Sequence, residues 1–166
     1  MLVLLHGAGM DADQWYRTGQ IQNYMDNLIA DRSIVPFVVV MPSSERVYYI
    51  GKSDLHITQE LPAWLKSRYG QTLEARRTAA AGMSMGGFGA VILPLNHSTM
   101  FGLVMYTGDH DRVTESAPLF LDKLKQTGAR YSYHEDAGAH TWNYWSHHNA
   151  EMLRVMSRYF VTGKLP

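Results

Sequence analysis

The chain has 166 residues, the length of one domain, and residues 1–166 are read as a single unit. Fifteen Lys and Arg balance fifteen Asp and Glu, which argues against partners held by bulk positive charge: no nucleic acid and no membrane surface. There is no cysteine, so disulfides, thiolate metal sites and a cysteine nucleophile are excluded.

Met1-Leu2-Val3-Leu4-Leu5 is apolar but stops at His6-Gly7 without a basic region before it. It reads as a strand, not a secretory leader, which tilts the expected location toward the cytoplasm. The apolar runs Leu2–Leu5, Phe37–Met41, Thr78–Met83 and Phe101–Tyr106 are expected to be buried parallel strands, and Tyr131–Glu135 alternates like an edge strand. Amphipathic stretches fill the gaps. Ile21, Met25, Leu28 and Ile29 mark one helix; Ile57, Leu61, Trp64 and Leu65 mark a second, with Asp54 as its cap and Pro62 bending it. Gly86–Leu93 opens a third, kinked or ended by Pro94. Pro118–Thr127 forms a fourth, stopped by Gly128. Met152, Leu153, Met156, Tyr159 and Phe160 give the last helix its apolar face, with His147 and His148 expected at its solvated start. Alternating strands and helices imply an α/β fold with a mostly parallel sheet.

Gly82-Met83-Ser84-Met85-Gly86 matches G-x-S-x-G and lies between an apolar strand and a glycine-rich helix start. Flanking glycines permit a sharp strand-to-helix turn that lifts a serine hydroxyl above the sheet. A turn with a merely capping serine is the plainer alternative. A serine needs a base and an orienting carboxylate to become a nucleophile. In this motif's fold the order is serine, acid, histidine. His140, in Asp136-Ala137-Gly138-Ala139-His140, follows the last strand, where loops at strand ends converge. Asp109 and Asp111 both follow the fourth strand, and either can be the acid; turn formation and helix capping are the competing uses. Backbone N–H groups of Met85 and Ala8 are the expected oxyanion donors, with Gly7 and Gly9 allowing close approach. Trp15, Tyr48, Tyr49, Trp142 and Trp145 are expected in loops at that sheet end, able to line a substrate pocket, whereas Trp64 and Tyr159 are expected to pack helices. The histidines lack a third ligand at metal spacing, so no metal and no cofactor is expected.

These segments together resemble the α/β-hydrolase superfamily, in its esterase D-like branch. The matching pieces are Leu4-Leu5-His6-Gly7-Ala8-Gly9, Trp15, Val38-Val39-Val40-Met41-Pro42, Glu60-Leu61-Pro62, Ala81 through Ala90, and Gly138-Ala139-His140-Thr141-Trp142 with Tyr144-Trp145. The resemblance implies Ser84 as nucleophile, His140 as base and Asp111 as acid, since the family's acid follows a glycine by three positions. Trp15 and Trp142, with Gly7 and Gly9, are the implied substrate contacts. The chain departs from the family by starting on the strand before the oxyanion loop, and by separating Ser84 from Asp111 by only 27 positions. It resembles a family member in which one strand and a lid-bearing region have been lost.

The implied fold is three-layer α/β/α, a minimal α/β-hydrolase core of about five strands in order 2-1-3-4-5 with no lid domain. The implied activity is hydrolysis of a small-molecule ester. The alternatives are acyl transfer or thioester hydrolysis by the same residues, or a shortened non-catalytic domain that binds a partner or forms a homo-oligomer. A nucleotide binder is suggested by strand order alone, and no phosphate-loop motif accompanies it.

Overall fold

Leu2–Leu5 forms strand β1, and all four residues are buried because both its faces are covered. Leu2 and Leu4 turn into one apolar cluster, Val3 and Leu5 into the other. The computed structural model describes residues 1–44, 48–70, 77–97 and 100–165. After β1 come α1 (Gln14–Arg17), α2 (Ile21–Ala30) and a short strand β2 (Val39–Val40). Next are α3 (Lys52–Leu55), a π-helical turn (His56–Glu60) and α4 (Leu61–Tyr69). Strand β3 (Ala79–Gly82) leads into α5 (Met85–Asn96), and β4 (Gly102–Gly108) into a 3₁₀ helix (Arg112–Ser116) and α6 (Ala117–Gln126). Strand β5 (Arg130–Asp136) and α7 (Trp142–Thr162) complete the order.

The strands form one parallel sheet in the order β2-β1-β3-β4-β5, the arrangement expected from the sequence. Residues of α1, α2 and α7 pack on one face with Leu2, Leu4 and Val104; residues of α5 and α6 pack on the other with Val3, Leu5 and Leu103. The ladders are unequal. β1 pairs with β3 along its whole length, from Leu2 opposite Ala79 to Leu5 opposite Gly82. β4 pairs with β5 from Gly102 opposite Arg130 to Gly108 opposite Asp136. Between them, β3 and β4 pair only at Ala79 with Gly102 and at Ala80 with Leu103, then part.

Several local expectations are corrected. The second strand is confined to Val39 and Val40, since Phe37 leaves the sheet edge to pack edge-on against Phe160 at 5.0 Å. Asp54 does not cap a helix; it lies within α3, and its carboxylate meets His97 Nε2 at 2.8 Å. Pro62 is accommodated by the π turn directly before α4: a proline has no N–H to donate and crowds the carbonyl four residues back, so the preceding turn widens. Trp64 is 53% exposed, because Ile57, Leu61 and Leu65 occupy the inner stripe and Trp64 stands about 100° round the helix from Leu65. Tyr159 is fully buried, as expected. The last helix begins earlier, capped by Thr141, whose hydroxyl accepts from Tyr144 N–H. Trp142 and Trp145 are therefore in its first turn and not in a loop, and His148 is buried, not solvated. Among the described residues no helix is long and apolar enough to cross a membrane.

The turn from β3 to α5 is closely packed against β1. A Cβ on Gly86 would collide with the Leu5 carbonyl and stand 2.8 Å from that of His6; one on Gly82 would collide with the Gly86 backbone. Both obstacles are main chain and cannot swing aside. Gly86→Ala is expected to destabilise the fold by about 2 kcal/mol or more, read as a lowered urea midpoint at unchanged slope. Gly87→Ala is the control: its Cβ would meet its nearest neighbour, the Gly82 oxygen, at 3.4 Å, so it should stay within about 1 kcal/mol of the parent.

Candidate active site

Ser84 sits between β3 and α5 with φ 54° and ψ −119°, a left-handed backbone that a non-glycine residue rarely holds. It is exposed and occupies the N-cap position, yet its side chain makes no capping hydrogen bond. That removes the plainer reading of the motif, a serine used to cap its helix. The hydroxyl stands at the positive end of the 12-residue α5, where developing negative charge is favoured.

His140 and Asp111 meet through the β4–β5 ladder. Past its last pair the two loops stay joined: Asp109 N–H donates to the Asp136 carbonyl at 2.9 Å and His110 N–H to the Gly138 carbonyl at 2.8 Å. Asp109 Oδ1 accepts from Gly138 N–H at 3.0 Å. This leaves His140 Nδ1 2.7 Å from Asp111 Oδ2. Asp111 Oδ1 accepts from Val113 N–H at 3.0 Å, so the same carboxylate caps the 3₁₀ helix and holds the imidazole. The carboxylate is 5% exposed and the imidazole 40%. With Nδ1–H donating to Asp111, Nε2 carries the free lone pair. Asp109 ties the loops, whereas Asp111 both caps the 3₁₀ helix and pairs with the histidine.

Ser84, Asp111 and His140 all line one cavity of about 160 Å³. Among the described residues no hydrogen bond joins Ser84 Oγ to His140; such bonds are often long before substrate arrives. Trp15 and Trp145 also line the cavity. Trp15 is fixed by donation from Nε1 to the Leu5 carbonyl at 3.0 Å, and Trp145 packs edge-on to His140 at 4.9 Å. Trp142 is not in the cavity wall; it packs edge-on between Trp15 and Trp145. Gly7, Ala8 and Gly9 lie in the loop after β1, outside that wall. Gly7 is buried, with its N–H on Gln14 Oε1 at 3.3 Å, and Ala8 and Gly9 are exposed. Met85 is the first residue of α5, whose N–H has no partner within the helix.

His6 is not an alternative base. It is buried, its Nδ1 lies 2.9 Å from the Gly7 carbonyl, and its Nε2 accepts from Ser44 N–H at 2.9 Å. Tyr49 is buried and donates to the His6 carbonyl, while Tyr48 is exposed and packs on Phe88. Sequence reasoning missed two features. Val113, Ala117 and Phe120 line the cavity, and their i, i+4, i+7 spacing was the available signal. His148 from α7 and His134 from β5 both stack on the Tyr106 ring, at 4.7 and 5.0 Å, and only the tertiary fold brings them together. Among the described residues no group of three or more His, Asp or Glu could hold a metal ion.

The chain is similar to known esterases. The family described as "Putative esterase" matches residues 1–110. A curated endo-1,4-beta-xylanase/feruloyl esterase of Xylanibacter ruminicola is 32% identical over 111 residues, 61% of this chain but 15% of that protein's length. A solved ferulic acid esterase superposes with TM-score 0.82 at 19% identity, over 96% of this chain and 85% of its own. The serine hydrolase FphF of Staphylococcus aureus gives 0.75 at 17%, over 94% and 82%. A feruloyl esterase module from Clostridium thermocellum gives 0.77 at 14%, over 98% and 77%. These distant structures share the fold.

Burial pushes the phenols of Tyr49, Tyr106 and Tyr144 well above their ordinary value of 10.0. Glu151 and Asp136 add to this at Tyr106, and the hydrogen bond to Asp136 adds to it at Tyr144. A phenol whose pKa is raised by folding adds stability that is complete below pH 10 and is lost as pH rises above it. Ultraviolet titration should therefore show these tyrosines ionising only with unfolding. The urea midpoint should hold up to about pH 10 and fall progressively above it; one reversible wave containing all ten tyrosines would contradict this.

Proposed function

We propose that this chain, which belongs to the putative esterase family, hydrolyses carboxylic esters of small molecules through an acyl-enzyme on Ser84. The observation that carries the reading is the Asp111–His140 pair at 2.7 Å in the wall of the cavity that also holds an exposed, strained, non-capping Ser84. Its resemblance to feruloyl esterases and to a serine hydrolase lends support.

In this mechanism Ser84 Oγ attacks the ester carbonyl carbon while His140 Nε2 takes its proton. The carbonyl oxygen becomes an oxyanion, held by the N–H groups of Met85 and Ala8. Collapse breaks the bond to the alcohol oxygen, which receives the proton from His140. Water then repeats the sequence: it gives a proton to His140, attacks the acyl carbon, and Ser84 leaves as the hydroxyl. Asp111 keeps Nδ1 protonated and stabilises the imidazolium. Gly7 and Gly9 let the oxyanion loop approach the substrate, and Trp15, backed by Trp142, walls it. The strained serine arrives already placed for attack, so its positioning is met by folding and not by binding.

A fluorophosphonate probe should label the parent protein and not Ser84→Ala, and that variant should lose at least about 10³-fold in kcat on p-nitrophenyl esters. Asp111→Asn should cost on the order of 10⁴-fold in kcat with the fold intact. Asp109→Asn keeps an oxygen to accept from Gly138 N–H and should stay within about tenfold of the parent. Equal labelling of parent and Ser84→Ala would refute the nucleophile, and the reverse order of the two aspartates would refute the acid.

A further inference from the structure

The cavity beside Ser84 has an unusual wall. Phe88, Val91, Ala117 and Phe120 come from the α5–α6 layer; Trp145 and Met152 come from the α7 layer on the opposite face of the sheet. Strands of an intact parallel pair lie about 4.8 Å apart, bridged by hydrogen bonds, and close the sheet between its two layers. A cavity can draw on both layers beyond the carboxyl edge of a sheet or through an opening in it, and this one reaches residues within the strands, Ala81, Leu103 and Val104. The ladder marks the opening. β3 and β4 stop pairing after Ala80 and Leu103, and the cavity is lined by the diverging stretches of the chain: Ala81, Gly82 and Met83 at the end of β3, and Leu103 to Thr107 on β4. β3 carries three alanines and a glycine, so no large side chain from it fills the gap.

We propose that the acyl half of the ester enters this seam between β3 and β4, and that the seam selects uncharged, compact acyl groups, a single ring or a short branched chain. The inference rests on the esterase reading for its chemistry and on the sheet geometry for its site. Ser84, Val113 and His140 are the exposed members of the wall, so the seam opens where the acyl carbon must sit. An apolar cavity of about 150 Å³ holds one benzene, and this one measures about 160 Å³. Among the described residues no Lys or Arg lines it, so an acyl group bearing a carboxylate would lose its hydration without a counter-charge. The walls are tied down: Tyr106 stacks with both His134 and His148, and Asn149 Nδ2 donates to the Gly19 carbonyl at 3.0 Å.

The test measures kcat/KM for p-nitrophenyl acetate, butyrate, benzoate, octanoate and monosuccinate with the parent and with Ala117→Phe, which fills the seam from α6. Each methylene buried is worth about fourfold. The parent should therefore favour butyrate and benzoate over acetate by about tenfold, and octanoate and monosuccinate should fall below them by at least as much. In Ala117→Phe, with unchanged circular dichroism, the benzoate-to-acetate ratio should drop by about tenfold or more. A ratio unmoved by Ala117→Phe, or rates that climb through octanoate, overturn the seam while leaving the esterase. If the parent turns over no ester faster than Ser84→Ala, the esterase reading fails instead. The seam is then judged by benzene: a benzene-induced rise in melting temperature that Ala117→Phe abolishes supports it as a compact apolar site, and no rise in the parent overturns it.

Discussion

The site depends on a parallel ladder that does not stop where its strands stop. β4 and β5 pair along seven residues, and the loops beyond them remain joined by main-chain bonds and by the Asp109 carboxylate. A one-residue slip in that ladder would turn every side chain on β5 to the other face. The register is held because Tyr106 and His134 face each other as a stacked pair beneath His148, and because Gly108 and Asp136 close the ladder at its end. Asp111 and His140 then lie three and four residues beyond the last pair, and their 2.7 Å contact is the outcome of that register.

This ladder also accounts for how a chain with only 27 positions between Ser84 and Asp111 brings them to one cavity. Asp111 hangs from the strand next to the one that leads to Ser84. The connection leaves β3 and β4 with just two paired residues each, and the sheet opens above them. Strand pairing is given up at the place where the cavity lies, while β1–β3 and β4–β5 keep their full ladders on either side. Two rigid halves thus flank the opening. One carries the turn with Ser84, the other the Asp111–His140 pair.

The strained turn at Ser84 is stable for a related reason. Gly82 and Gly86 let α5 press directly onto the end of β1, where any side chain would strike the Leu5 carbonyl. Trp15 binds that same carbonyl through its indole N–H, and Tyr49 binds the next one, on His6. Buried carbonyls at the end of a strand need partners, and here the partners come from both helical layers. A backbone cost on the order of 1–3 kcal/mol at one residue is offset by this surrounding set of contacts.

The sequence by itself determined the succession of strands and helices along the chain and the serine turn, because these stem from apolar periodicity and from glycines that only one local geometry requires, while the sheet order 2-1-3-4-5 came with the family resemblance. The place after β4 narrowed the acid to two aspartates, and the family resemblance pointed to Asp111. Asp109 and Asp111 share a loop and a chemistry, and the choice between them turns on which carboxylate faces His140, a matter of β4–β5 register. It misplaced Trp64, His148 and the start of α7, since burial on a helix depends on what packs against it and not on residue type. Trp15 and Trp145 were legible as aromatics near the site, but the shape of the cavity was not. Its walls come from both layers and two diverging strands, and the length over which two strands pair is decided by the packing around them, which no local pattern encodes.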